Sequence, residues 1–264
     1  MYGYGCFISA NGKTPSVGAF TSRTNDFKTA TGITDATILN ALNTLDLGLI
    51  SNGLDSKIKA LYPFVGGTAT KHSYNLINTS AYQITWYGGM THDSNGITGN
   101  GSNAYGNTNF NNNLITSNNS AFGVYSKTNI DGTYAYMGSR GSTSSISILF
   151  PRLSNVFKAL SNGWYTNYQD VSNTSSLGFF QSVRTSSTNV VSLKNSTASS
   201  FTITTAGTND GNFCLLQSGI NNGSSNEYIT PANLAFAYIG EGMTSTDAVN
   251  LNSLVQTFQS TLGR

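Results

Sequence analysis

The 264-residue sequence predicts a mainly β protein: a β-sandwich preceded by a helical segment and closed by an amphipathic helix. Three observations carry this expectation. Short alternating apolar runs, broken by turn residues about every ten positions, fill the chain from residue 63 to near 240. One apolar stripe at helical spacing lies before them, and a second lies after them.

Taken in order, Tyr2, Tyr4, Phe7 and Ile8 make an aromatic opening of strand character. A helix then begins at Thr34 or Asp35, both good N-caps, and carries Ile38, Leu42, Leu45 and Leu49 on one face before Asn52-Gly53 stops it. Gly48 interrupts that helix at a cost of about 1 kcal/mol against alanine. A second, short helix is expected over 54–61, ending where Tyr62 precedes Pro63. Strands are expected at 82–87, 121–126, 133–138, 145–150, 177–183, 190–194, 201–205, 213–217 and 234–239. Asp131-Gly132 and Asp210-Gly211 read as hairpin turns, and the Gly- and Asn-rich stretch 94–113 as loop and edge strand anchored by Tyr105 and Phe110. The last helix opens at Thr244 with Asp247 three residues on, and Leu251, Leu254, Val255, Phe258 and Leu262 form its apolar face. Such a helix packs back on its own domain more often than on a partner. The resulting division is 1–62, a strand and helical attachment segment, and 63–264, the sandwich with its closing helix.

Composition narrows the function. Charged residues make up 9% of the chain, against roughly 25% in ordinary soluble proteins, and Ser, Thr, Asn and 28 Gly stand in their place. Solubility then rests on neutral hydrogen-bonding groups, as on proteins that work outside cells. The formal charge of +2 comes from 13 basic and 11 acidic residues without a basic run, which argues against a nucleic-acid partner. No apolar stretch is long enough for a membrane span, and 1–13 lacks the features of a secretion signal. Cys6 and Cys214 read as small core residues, and whether they pair stays open.

The search for chemistry favours contact over catalysis. Glu227 and Glu241 are the glutamates on which a two-carboxylate glycosidase would have to draw, and no paired acidic strand motif is present. His72 and His92 lack zinc-pair spacing and have no nucleophile elbow nearby, so both read as surface or hydrogen-bonded core residues. Asp93-Ser94-Asn95-Gly96 offers hard oxygen ligands for calcium through Asp93 and Asn95, and equally an ordinary Asx turn. Sugar recognition needs an aromatic ring against a pyranose face and neutral groups at its rim. The run GWYTNYQD supplies these through Trp164, Tyr165 and Tyr168, with alternation placing Trp164 and Tyr168 on one face, although large aromatics in a sandwich are usually core. Trp86 and Tyr87 read as packed.

Several segments resemble concanavalin A-like, LamG-like jelly-roll structural proteins of phages, notably those infecting Bacteroidetes and including crAss-like phages. The carriers are ATGITDATILNALNTL, KIKALYPFVGGTATKHSYNL, TGNGSNAYGNTNF, SVRTSSTNVVSLKN and AFAYIGEGMTSTDAVNLNSLVQTFQSTLGR. Lys194-Asn195-Ser196 stands where related chains carry Lys-Asn-Gly. The resemblance implies a concanavalin A-like jelly roll on the virion surface, assembled in the host cytoplasm, as head fibre, spike or decoration component. It implies contact with host-surface glycans, attachment to other virion proteins through the N-terminal segment, and a dimer or trimer. Two alternatives stand beside it: a purely architectural capsid decoration protein, and a glycan-cleaving enzyme on the same fold.

Overall fold

The computed structural model describes residues 19–219 and 227–264. The aromatic opening and Cys6, and with Cys6 the question of a Cys6–Cys214 pair, lie outside the described residues. Helices α1 (Ser22–Thr31) and α2 (Ala36–Ser51) lead into strand β1 (Ile58–Tyr62) and one helical turn, α3 (Ala69–His72). Then come β2 (Thr85–Tyr87), β3 (Thr91–Asp93), β4 (Gly96–Thr98), β5 (Tyr105–Asn111), β6 (Ser120–Ser126), β7 (Met137–Arg140), β8 (Ser145–Leu153) and β9 (Val156–Trp164). The chain continues through β10 (Gln169–Ser172), β11 (Gly178–Arg184), β12 (Asn189–Lys194), β13 (Thr197–Thr202), β14 (Asn212–Leu215) and β15 (Asn233–Gly240) to α4 (Ser245–Thr261).

These strands form two antiparallel sheets in a jelly-roll-like sandwich. Sheet A runs β13-β12-β11-β6-β15-β4-β3, with β1 also paired to β15; sheet B runs β10-β9-β8-β7-β14-β5-β2. Between them lies an apolar core in which Phe122, Val124, Phe180 and Ile239 of sheet A meet Met137, Leu149, Phe157 and Phe213 of sheet B. The other face of sheet A is apolar too. Phe179, Val183, Val191, Phe236 and Tyr238 pack under the helices, against Leu42, Leu45 and Leu49 of α2 and Leu251, Val255 and Phe258 of α4. Layer order is therefore helices, sheet A, sheet B.

The helix ends follow their local chemistry. Asp35 caps α2 by accepting from the Ile38 amide at 3.0 Å. Thr244 and Asp247 make the reciprocal capping box of α4, which packs on its own sheet as expected. At Gly48 a side chain would meet Leu254 Cδ2 at 2.3 Å, so this glycine marks the close approach of α2 to α4. Among the described residues no helix is long and apolar enough to cross a membrane.

Other expectations are corrected. The short helix expected over 54–61 gives way to β1, where Leu61 and Tyr62 pair with Tyr238 and Ala237; a brief apolar run buried on both sides cannot be told from a helix by periodicity. Asp131-Gly132 and Asp210-Gly211 do not turn hairpins, because β6 and β7, like β13 and β14, lie in different sheets. Each aspartate instead accepts from a distant loop, Asp131 from the Ser154 amide at 2.7 Å and Asp210 from the Ser142 amide at 2.6 Å. Helix α1 escapes sequence reading because it is polar, with Phe27 its one buried large apolar residue. Where Lys194-Asn195-Ser196 turns between β12 and β13, Asn195 itself takes the left-handed conformation at φ +54°.

The two histidines form a joint. His72 Nε2 accepts from the Gly67 amide at 3.2 Å, which leaves Nδ1–H to donate to His92 Nδ1 at 3.1 Å, tying α3 to β3. Trp86 closes the joint from β2 with its edge on His92 at 4.8 Å and its Nε1–H donated to the Ala69 carbonyl at 2.9 Å. Burial, with lesser contributions from His92 and Arg264, lowers the His72 pKa to about 3; burial also lowers that of His92, opposed by Asp93.

Two stability predictions follow from this packing. Leu251→Ala is expected to lower the unfolding free energy by about 3 kcal/mol in urea titrations, because it opens a cavity between α4 and sheet A. Ile50→Ala, on the exposed side of α2, should change it by under about 0.5 kcal/mol. The histidine joint sets a pH dependence. With folded pKa values below the unfolded 6.5, the unfolded chain takes up protons first, so stability is full above about pH 6.5 and falls as pH drops toward 3. The slope is at most about 1.4 kcal/mol per pH unit for each histidine. Urea unfolding at pH 7 and pH 5 should show a smaller loss in His72→Asn than in the unmodified protein; equal losses would remove the joint from the account.

Candidate functional site

Helices cover the outer face of sheet A, whereas no helix among the described residues packs on the outer face of sheet B. On β5, Gly106, Thr108 and Phe110 point inward and are buried, whereas Tyr105, Asn107 and Asn111 remain partly exposed. Tyr87 of β2 stacks on Tyr105 with ring centres 4.6 Å apart and planes 13° from parallel. Beside this stack runs a ladder of amides: Asn212 Nδ2 donates to Asn107 Oδ1 at 3.2 Å, and Asn111 Nδ2 to Asn212 Oδ1 at 3.3 Å. The expectation that Trp86 and Tyr87 are both packed holds for Trp86 and fails for Tyr87, which is 42% exposed. Neighbours on a strand face opposite sides, so burying one presents the other.

At the other end of the same face lies a small apolar patch of Ile146, Ile148, Phe150 and Leu160, flanked by Tyr168 and Tyr228. Strand β9 ends at Trp164, the chain turns, and Tyr165 and Tyr168 come together edge to face at 5.8 Å before β10 begins. Tyr165 and Tyr228 share a hydrogen bond between their hydroxyls, 2.5 Å apart, although 63 residues separate them in sequence. Phe150 supports both flanks, with Tyr168 at 6.1 Å and Tyr228 at 5.4 Å. The Tyr165 hydrogen bond, followed by burial, pushes the Tyr228 phenol up to about 12, and burial is the first cause raising Tyr168. Both phenols therefore stay neutral at physiological pH and act as hydrogen-bonding hydroxyls.

Next to Tyr165 a cavity of about 320 Å³ is lined by Arg140, the loop Gly141, Ser142, Thr143 and Ser144, and Ile146. Arg140 is ion-paired with Glu227 at its margin. Asp210 receives the amide and hydroxyl of Ser142, at 2.6 and 2.7 Å, and these bonds lower its pKa. The cavity thus offers an aromatic edge, hydroxyls and a guanidinium, a set suited to a polar ligand with apolar patches.

Of the aromatic residues singled out from sequence, Tyr165 and Tyr168 meet, while Trp164 does not share their cluster. It is 47% exposed at the end of β9 and makes no ring pairing among the described residues, because the strand alternation that would align it with Tyr168 stops at the turn. Tyr228, Arg140 and Ser142 were not found from sequence. Only the pairing of β7 with β8 and the return of the chain past β14 bring them beside Tyr165, and no local motif encodes that.

The remaining candidates have other duties. Glu241 is partly exposed beside sheet A, 2.8 Å from Lys59, so the two glutamates are engaged on different sheets, and the Lys59 hydrogen bond holds the Glu241 pKa below its usual value. Asp93 and Asn95 flank the tight turn between β3 and β4. Asp93 Oδ1 accepts from the Asn95 amide at 2.7 Å, Asn95 Oδ1 accepts from the Lys127 ammonium at 2.7 Å, and the Ser94 carbonyl accepts from Arg264 at 3.0 Å. Two cations already hold the Asn95 and Ser94 oxygens, and the Asn95 amide takes Asp93 Oδ1, which does not fit a calcium ion. Among the described residues no group of three or more His, Cys, Asp or Glu side chains could hold a metal ion. Cys214 is buried on β14.

No family model matches the chain, and no curated protein matches it. Solved structures do resemble it. Crystal structures of two HCR/D mutants align at 13% and 15% identity, each over 76% of this chain and over 52% and 51% of theirs, both with a TM-score of 0.51. This chain thus spans about half the length of those chains. Domain 4 of AbnA, a GH43 extracellular arabinanase from Geobacillus stearothermophilus, in complex with arabinotriose, aligns at 10% identity over 74% of this chain and 98% of that one, with a TM-score of 0.49. The likeness to the HCR/D chains is one of fold.

Proposed function

We propose that this chain is a non-enzymatic surface protein of a bacteriophage particle that holds host-surface glycans on the open face of sheet B. The observation that carries the glycan reading is the Tyr165, Tyr168 and Tyr228 cluster beside a cavity rimmed by Ser142, Thr143 and Ser144, on the sheet face free of helices. A pyranose has an apolar C–H face and a rim of neutral hydroxyls. Tyrosines supply an amphipathic surface for the first, and serine, threonine and asparagine groups supply donors and acceptors for the second. Each contact is weak. Repetition over many copies can raise avidity by about 10² or more.

Contact without turnover is supported by the separate engagement of the two glutamates, Glu227 with Arg140 and Glu241 with Lys59. The placement on a virion rests on the sequence resemblance and on the low-charge composition; in it the N-terminal segment attaches to other virion proteins through surface that α2 and β1 do not bury against sheet A, and the chain is a dimer or trimer.

A glycan array on the isolated protein tests the binding reading, with Tyr165→Ala as the control. Binding to neutral host polysaccharide, weakened about tenfold or more in the variant, is the expected result. Silence across host-type sugars would leave the architectural decoration reading in its place. Mass spectrometry and immunogold labelling of purified particles test the location.

A further inference from the structure

A second cleft lies away from the tyrosines, at the open edge of the sandwich where β10 ends and the β12–β13 hairpin turns. Its volume is about 470 Å³, within the roughly 300–1,000 Å³ range of small-ligand clefts. Val171 and Phe157 give it an apolar wall, and Asn173, Ser192, Lys194 and Thr197 give it a polar one.

Lys194 sets the character of the cleft. Its ammonium donates to Asn173 Oδ1 at 2.6 Å and to the Ser175 carbonyl at 2.9 Å, both neutral acceptors. No carboxylate lies within ion-pair reach of it among the described residues, and burial holds its pKa below the ordinary lysine value. An ammonium carries three protons, so one remains for a ligand. Phe180 lies under the charge at 5.7 Å from the ring centre, which helps to hold the head group at the cleft.

Behind this wall sits Gln169, fully buried. Its Oε1 accepts from Ser192 Oγ at 2.5 Å and Ser182 Oγ at 3.4 Å, while its Nε2 has no partner among the described residues. Ser192 is buried and gives its proton inward to Gln169, so the hydroxyl within reach of a ligand is that of Thr197, which lines the cleft and is exposed. The cleft therefore presents a cationic donor, a hydroxyl acceptor and an apolar wall together.

We infer that this cleft is a second binding site, for an acidic monosaccharide of the hexuronic acid class, with Lys194 receiving the carboxylate and Thr197 a ring hydroxyl. The site is separate from the tyrosine face and does not depend on it.

The test is an amide chemical-shift titration of the unmodified protein with glucuronate, with glucose and acetate as matched controls. Glucuronate is expected to shift Val171, Ser192, Lys194 and Thr197 and to bind about tenfold more tightly than either control, with added salt weakening it. Lys194→Gln should bring glucuronate down to the affinity of glucose, Lys194→Arg should retain binding, and Tyr165→Ala should leave it unchanged. Acetate binding as tightly as glucuronate would mean a bare anion site, and glucose doing so would mean no role for the charge. Either result, or shifts confined to other residues, overturns the inference. The mapping on the unmodified protein stands even if a variant folds poorly.

Discussion

The burial of both faces of sheet A is the constraint from which the rest of the molecule follows. Its central strands β6, β11 and β15 are buried along nearly their whole length, with Phe179 and Phe236 on one side and Phe122, Phe180 and Ile239 on the other. Each large side chain left uncovered would forgo about 1.5–3 kcal/mol. Sheet B covers one side. Helices α2 and α4 must cover the other, which is why both carry a single apolar stripe. With the helices committed there, none among the described residues covers the outer face of sheet B, and the tyrosines, asparagines and hydroxyls of the candidate contact face are arrayed on it.

A second feature is the polar interior, built mostly of neutral amides and hydroxyls around a few ions such as Arg184. Asn162, with φ at +49°, stands where the pairing of β8 and β9 slips, and it links Asn112 at 2.8 Å, Ser147 at 3.0 Å and Ser120 at 3.2 Å. Arg184 is fully buried beside them, its Nε donated to the Ser161 carbonyl at 2.7 Å and its Nη1 to the Ile203 carbonyl at 2.8 Å. Neutral amides and hydroxyls cost less to desolvate than ions and are stable inside once paired. The low charge of the chain thus reflects its interior as much as its surface. Reading Ser and Asn only as solubilising groups misses this.

How far sequence reading reached depended on how local each cause is. Asp35 and the Thr244–Asp247 box declare their helices because a cap acts within one turn. Most core strands were legible from their apolar runs, although their ends moved by a few residues. What failed depended on distance. Within the expected helix 54–61, the chain from Ile58 onward forms β1 because β15 lies beside it, Asp131 and Asp210 have acceptor duties on other loops, and Tyr228 joins Tyr165 only through the folding of sheet B. Alternation places Trp164 on one face with Tyr168, and the turn after β9 separates the two.

Hydrogen–deuterium exchange with and without host surface polysaccharide tests the central claim most directly, because it reports which layer of the molecule a glycan covers. The account predicts slowed exchange in the loop at 141–144, at 164–168 and around Tyr228, with α2 and α4 unchanged. Protection confined to the helical layer would contradict it.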